Sequence, residues 1–292
     1  MYLASLPWYD FPEIRPATDA LWARLAHNLR VRGFGNTPIS LERRMSYQQQ
    51  WTSGTLLFSQ ACGYDVVLPY ASHLRIVATP IYKAAGCHGP CYNSFVVVHR
   101  DSRITDLQQL RGSRCVINGL TSHSGMNSLR ALVAPLHRGG RFFSEVYVSG
   151  SHELSLARLD EGKADVAAID CITYEILRRY RPRSLSEIRI LCSCASMPAP
   201  PYVVGAQLSD CELQRVGEAL AETLEDPTIQ GAKDVLLLDR IEKIPLADYE
   251  PIATLEREAL RRGYAEISSS DAARSRSTES ITMQPSTAER FL

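Results

Sequence analysis

The chain has 292 residues, and its 32 Lys+Arg balance 32 Asp+Glu to give a formal net charge of zero. That length accommodates two α/β lobes near the usual ~100–150 residues, each with a core of its own. Charge balance excludes a broad basic footprint for nucleic acid, and the sequence has no run of about 18 apolar residues that would span a membrane.

Residues 1–10 read as a first core strand. They show no basic n-region, apolar h-region or small-residue cleavage site, so the protein is expected in the cytoplasm as written, or in the periplasm if a leader has been removed. Leu21, Trp22, Leu25 and Leu29 then share one helical face that stops near Gly33 and Gly35. Apolar runs at 55–59, 74–78 and 94–98 predict strands, and Thr105 with Gln108 has the spacing of a capping box for a short helix closed by Gly112. Strand–helix alternation predicts an α/β fold with mostly parallel sheets flanked by helices.

The segment 115–128 carries the most chemistry. An apolar run at 115–117 leads into a turn rich in hydroxyls, then into a helix whose Leu129, Leu132, Val133 and Leu136 form one stripe. The first N–H groups of a helix have no intrahelical partner and carry the positive end of its dipole, so an oxyanion collects several hydrogen bonds there. Thr121, Ser122 and Ser124 add hydroxyl donors, and Gly125 allows close backbone approach. The alternative is that Ser124 only caps the helix.

A second unit repeats the pattern. Residues 151–159 predict a helix ended by Gly162, and the strand 164–169 delivers Asp170 at its carboxyl end before a helix with Ile172, Ile176, Leu177 and Tyr180. Ligands of open α/β sheets sit beyond the carboxyl ends of strands, where Asp170, Ser122, Ser124 and the turn 149–152 all fall. Asp170 either meets a ligand amine or hydroxyl or caps the following helix. Further strands are predicted at 188–192 and 199–204, with Ser209 and Glu212 capping a helix of Leu213, Val216, Leu220 and Leu224. Tyr249, Ile252, Leu255 and Leu260 mark a last helix, and 265–292 has the composition of a disordered tail. The eight cysteines are scattered without paired zinc-site spacing, so reduced thiols and no metal are expected.

Tyr92-Asn93-Ser94-Phe95-Val96-Val97-Val98, Asp106-Leu107 with Leu110-Arg111-Gly112, the Ser122 to Gly125 turn, Gly150-Ser151-His152, and Gly162-Lys163-Ala164-Asp165-Val166-Ala167-Ala168-Ile169-Asp170 occur in one order. Together they resemble the phosphate/phosphite/phosphonate-binding proteins of ABC importers, within the type II periplasmic binding protein fold. The resemblance implies two α/β lobes joined by two crossover strands: lobe one from 1–95 plus 195–264, and lobe two from 96–194 carrying the anion-binding turn.

It further implies a solute-binding protein that captures a small phosphonate- or phosphate-like oxyanion in the interlobe cleft by hinge closure, for ABC-type transport or cytoplasmic sensing. The expected partners are that ligand and an ABC permease, with no nucleic acid, cofactor or metal. Thr121, Ser122, Ser124 and Gly125 match the family's anion-holding turn, His152 its histidine, and Asp170 its acidic residue. Tyr9, Asp10, Gln60 and Tyr92, at predicted strand ends, are the lobe-one candidates. His123 departs from the pattern, standing where a further Ser or Thr is common. A cytosolic enzyme using His152 and Asp170 as acid and base is the alternative.

Overall fold

The computed structural model describes residues 2–267, so of the tail expected at 265–292 the positions 268–292 lie outside the described residues. In chain order, β1 (Leu3–Ala4), α1 (Arg15–Val31), α2 (Tyr47–Trp51), β2 (Leu56–Gln60), α3 (Gly63–Val67) and β3 (Leu74–Tyr82) come first. β4 (Cys91–Tyr92) then leads to β5 (Ser94–His99), β6 (Arg114–Ile117), α4 (Ser128–Val133), β7 (Glu145–Val148), α5 (His152–Asp160), β8 (Val166–Asp170), α6 (Cys171–Tyr180) and β9 (Ile188–Ser193). The chain returns through β10 (Met197–Pro198) to β11 (Tyr202–Gly205), α7 (Asp210–Glu225), α8 (Gln230–Val235), β12 (Leu238–Glu242) and α9 (Glu250–Arg261).

Two five-stranded sheets, ordered β1-β2-β11-β3-β12 and β7-β6-β8-β5-β9, form the two lobes, and the antiparallel ribbon of β4 and β10 lies where the chain passes between them. Most strands of each sheet run one way. The exceptions are β11, antiparallel to β2 and β3, the edge strand β12, antiparallel to β3, and β5, antiparallel to β8 and β9. β5 and β11 are the first strands after each passage between lobes. They enter their sheets at the cleft end, where β2, β3, β6 and β8 finish, and so run away from it.

β5 shows why an uninterrupted apolar run forms a central strand. Val96 and Val98 pack into one core cluster while Phe95 and Val97 join another, so both faces of the strand are covered. On the far side of the first lobe, α1 packs against α7 through a buried hydrogen bond from Asn28 Nδ2 to Thr223 Oγ1, 3.0 Å. The Ser209–Glu212 capping box at the start of α7 forms as expected. The one expected at Thr105 does not: Asp106 accepts the Gln108 and Gln109 amides instead, and only a single 3-10 turn, Gln108–Leu110, follows. An Asp two residues ahead of the first free amide outcompetes a more distant Thr.

Candidate functional site

β2, β6 and β8 end around a cavity of about 430 Å³ between the two sheets. Thr121, Ser122, Ser124, His152 and Asp170 line it from one side, and Tyr9, Asp10 and Tyr92 from the other. Gly125 and Gln60 are the two expected site residues outside that lining. Gln60 is 2% exposed, and its amide donates to Tyr82 Oη and the Pro200 carbonyl, both at 2.9 Å, so the carboxyl end of β2 turns this side chain into the protein.

The hydroxyl turn is a π-helical turn, His123–Asn127, whose widened pitch is closed by the Asn127 amide donating to the Ser122 carbonyl at 3.0 Å. Ser122, and not Ser124, is its N-cap: Ser122 Oγ accepts the Gly125 amide at 3.1 Å. Ser124 is thereby freed from capping, and its Oγ lies 2.9 Å from His152 Nε2 and 3.5 Å from Ser122 Oγ. Gly125 acts by its lack of a side chain. A Cβ there would stand 1.9 Å from Asn118 Oδ1 and 3.1 Å from His152 Cε1, so only glycine lets the turn approach the imidazole this closely.

His152 begins α5, behind the N-cap Ser151 and the left-handed Gly150 at φ 97°. Its Nε2 also lies 3.3 Å from Asp170 Oδ2. Burial pushes the His152 pKa down, opposed by the Asp170 charge and the Ala168 carbonyl. The ring is therefore neutral at pH 7.

Of the two roles the sequence left open for Asp170, the structure shows the helix cap. Its Oδ1 caps α6, accepting the Ile172 and Thr173 amides at 3.0 and 2.8 Å, while Oδ2 faces His152. Asp170→Ala is expected to lower folding stability by about 2 kcal/mol, because it orphans two buried amides. Urea unfolding checks this, and an unchanged midpoint would show that the cap is dispensable.

A row of Ser124, His152 and Asp170 invites comparison with a nucleophilic triad, but the geometry differs. Serine and aspartate approach the same imidazole nitrogen, whereas proton relay requires opposite ones. His152 Nδ1 is buried without a hydrogen-bond partner.

Facing this turn, Tyr9 holds φ at 62°, a left-handed conformation costly for an aromatic residue, and packs edge-on against Tyr82 at 5.6 Å. Burial, then the Asp170 charge, push its hydroxyl well above the usual range, as burial does for Tyr92, so both remain neutral donors. Asp10 is held by Arg43 at 2.7 and 3.1 Å and by Arg15 at 3.2 Å. Arg15 is the one cationic side chain among the described lining residues, and it is paired. The lining also carries the acids Asp10, Asp65, Glu153 and Asp170, and the donors that face an anion here are hydroxyl, amide and imidazole groups.

Two residues behave differently from the sequence reading. His123 points away from the cavity and is 2% exposed; its Nδ1 accepts from Asn127 Nδ2 at 3.4 Å, and Asn127 in turn donates to the Ile252 carbonyl at 2.9 Å. It thus ties the turn to α9. Asp65, unnoticed in the sequence, lines the cavity with Tyr47 and Trp8 while being 1% exposed, with Oδ1 unpartnered. Burial pushes its carboxyl up to about 7. The available signal was its place just past the carboxyl end of β2, a position that faces the ligand in such sheets.

The model of the ABC transporter, phosphonate, periplasmic substrate-binding protein family matches residues 47–250. The chain belongs to that family. Its members are binding proteins, so His152 and Asp170 are not an enzyme's acid and base. No curated protein sequence matches the chain.

Among solved structures, a binding protein component of an ABC phosphonate transporter from Pseudomonas aeruginosa superposes with a TM-score of 0.72 at 15% identity, over 90% of this chain and 87% of that one. PhnD1 of Prochlorococcus marinus in complex with methylphosphonate gives 0.69 at 15% identity, over 89% and 98%. A Xanthomonas citri protein bound to ATP gives 0.67 at 17% identity, over 91% and 99%. These likenesses establish the two-lobe type II periplasmic binding protein fold. Among the described residues no helix is long and apolar enough to cross a membrane.

Proposed function

We propose that the chain captures a phosphonate- or phosphate-like oxyanion between its lobes on the periplasmic side and passes it to an ABC permease. The observation that carries this is the convergence of Ser122, Ser124 and His152 on one cavity whose one lining cation among the described residues is already paired. Neutral donors bind an anion through charge-assisted hydrogen bonds, each stronger than a bond between neutral groups. The similar fold of the methylphosphonate complex supports the choice of ligand class.

The assigned roles follow from position. Ser122, Ser124, Thr121 and His152 hold the anion; Asp170 orients His152; Tyr9, Asp10 and Tyr92 close from the first lobe. Gly125 gives the turn its approach and Gln60 braces the hinge side. The cavity exceeds an inorganic phosphate in size, and Trp8, Tyr47 and Asp65 surround the excess, so the ligand carries an organic part with a hydrogen-bond donor.

Calorimetry with methylphosphonate, 2-aminoethylphosphonate, phosphate, acetate and ATP tests this reading. Saturable binding of one phosphonate per chain, with the ligand recovered unchanged, is expected. Affinity for acetate equal to that for the phosphonates would refute it.

A further inference from the structure

Eight cysteines are free among the described residues, and two of them meet at the hinge. Cys87 Sγ and Cys171 Sγ are 3.5 Å apart although the residues are 84 positions apart in the chain. Cys87 lies in the loop between β3, of the first sheet, and β4, of the connecting ribbon. Cys171 is the first residue of α6 in the second lobe, directly after Asp170, and its amide donates to the Asn93 carbonyl at 3.0 Å.

The loop is pressed onto α6. Gly86 has φ 93°, and a Cβ on it would stand 3.0 Å from Cys171 Cβ and 2.5 Å from Asn93 Oδ1. No side chain fits between loop and helix, so the thiols face each other directly. Cys171 is fully buried, whereas Cys87 is only partly so and can be reached from solvent.

We propose that Cys87 and Cys171 form a redox pair that closes into an intramolecular disulfide, stapling the hinge loop to α6 and restraining separation of the lobes. With oxidised glutathione as the oxidant, the Cys87 thiolate attacks one glutathione sulfur and releases the other glutathione as thiolate. Cys171 then gives its proton to solvent, and its sulfur attacks Cys87 Sγ, expelling the second glutathione. Two protein thiols lose two electrons and two protons, and one glutathione disulfide becomes two thiols.

The second step is the slow one. In that step Cys87 is already a mixed disulfide, so burial is what keeps the Cys171 thiol protonated, and the rate should climb about tenfold per pH unit through the neutral region. The ring enclosed is long, which by chain-entropy reasoning favours the folded state markedly.

The full chain, incubated with oxidised glutathione at pH 8 and mapped by peptide mass spectrometry, should yield the 87–171 cross-link. Its Tm should rise by about 5–10 °C, reversibly with dithiothreitol. Cys87→Ser should abolish both changes while folding as the reduced protein does. A glutathione adduct that persists on Cys87, a different pairing, or an equal Tm rise in Cys87→Ser would overturn the pair. The thermal reading uses no ligand and stands apart from the proposed function. Restraint of the lobes rests on that function: methylphosphonate should leave the oxidised protein more slowly, and release at the reduced protein's rate would refute it.

Discussion

Replacing Ser122 and Ser124 together by alanine is expected to weaken methylphosphonate binding about 100-fold. Each hydroxyl would donate one charge-assisted hydrogen bond, and about 1.4 kcal/mol per bond is tenfold in affinity. The two oxygens are 3.5 Å apart, so the single variants should not sum simply to the double one. Loss of the Ser122 cap over the Gly125 amide costs about 1 kcal/mol of stability besides. Calorimetric titration at 25 °C, where both forms remain folded, separates the two effects. An affinity within threefold of the unaltered protein's would remove these hydroxyls from the site.

Asp65→Asn is expected to stabilise the protein by about 3–4 kcal/mol at pH 8, a large gain for one atom exchanged. The folded-state pKa of Asp65, about 7, lies above the usual 3.8. Between those values the folded chain keeps a proton that the unfolded chain releases, so this group removes stability as pH rises, and the full penalty is present above pH 7. His123 works in the opposite sense. Burial holds its imidazole at about 4, below the usual 6.5, so the unfolded chain binds a proton there that the folded chain refuses. Its contribution is lost as pH falls from 6.5 toward 4.

Between pH 4 and 6.5 the two slopes offset each other, and the unaltered protein should be nearly indifferent to pH on their account. Asp65→Asn unmasks His123: its stability should rise by about 3 kcal/mol across that window and stay above the parent's beyond pH 7. Urea unfolding at pH 5 and pH 8 reads both features. Parallel profiles for variant and parent would mean that Asp65 ionises freely. A carboxyl kept in the cavity at such a cost in stability points to a role with the ligand.

The central strands and the turn at 121–125 were legible because their signals are local. β5, β6 and β8 are uninterrupted apolar runs, and Ser209 with Glu212 states its own cap. The edge strands β7 and β12, Glu-Val-Tyr-Val and Leu-Asp-Arg-Ile-Glu, were not read, since charged residues on an edge blur the pattern. Chain direction was equally hidden: apolar runs do not say that β5 and β11 enter from the cleft. Ser122 and Ser124 could be placed on the turn from sequence, yet which of them caps and which meets His152 depends on a π-helical turn. Gln60 looked outward from its strand end, but the partners that turn it inward, Tyr82 and Pro200, are distant in sequence. Asp65 went unread because its meaning comes from burial, which a single acid beside Val66 and Val67 does not announce.

A crystal structure of the protein with methylphosphonate is the most direct measurement. The phosphonyl oxygens should lie within about 3 Å of Ser122 Oγ, Ser124 Oγ and His152 Nε2, with the methyl group toward Trp8 and Tyr47. A phosphonate bound elsewhere on the molecule, touching none of these three side chains, would contradict the proposed seat.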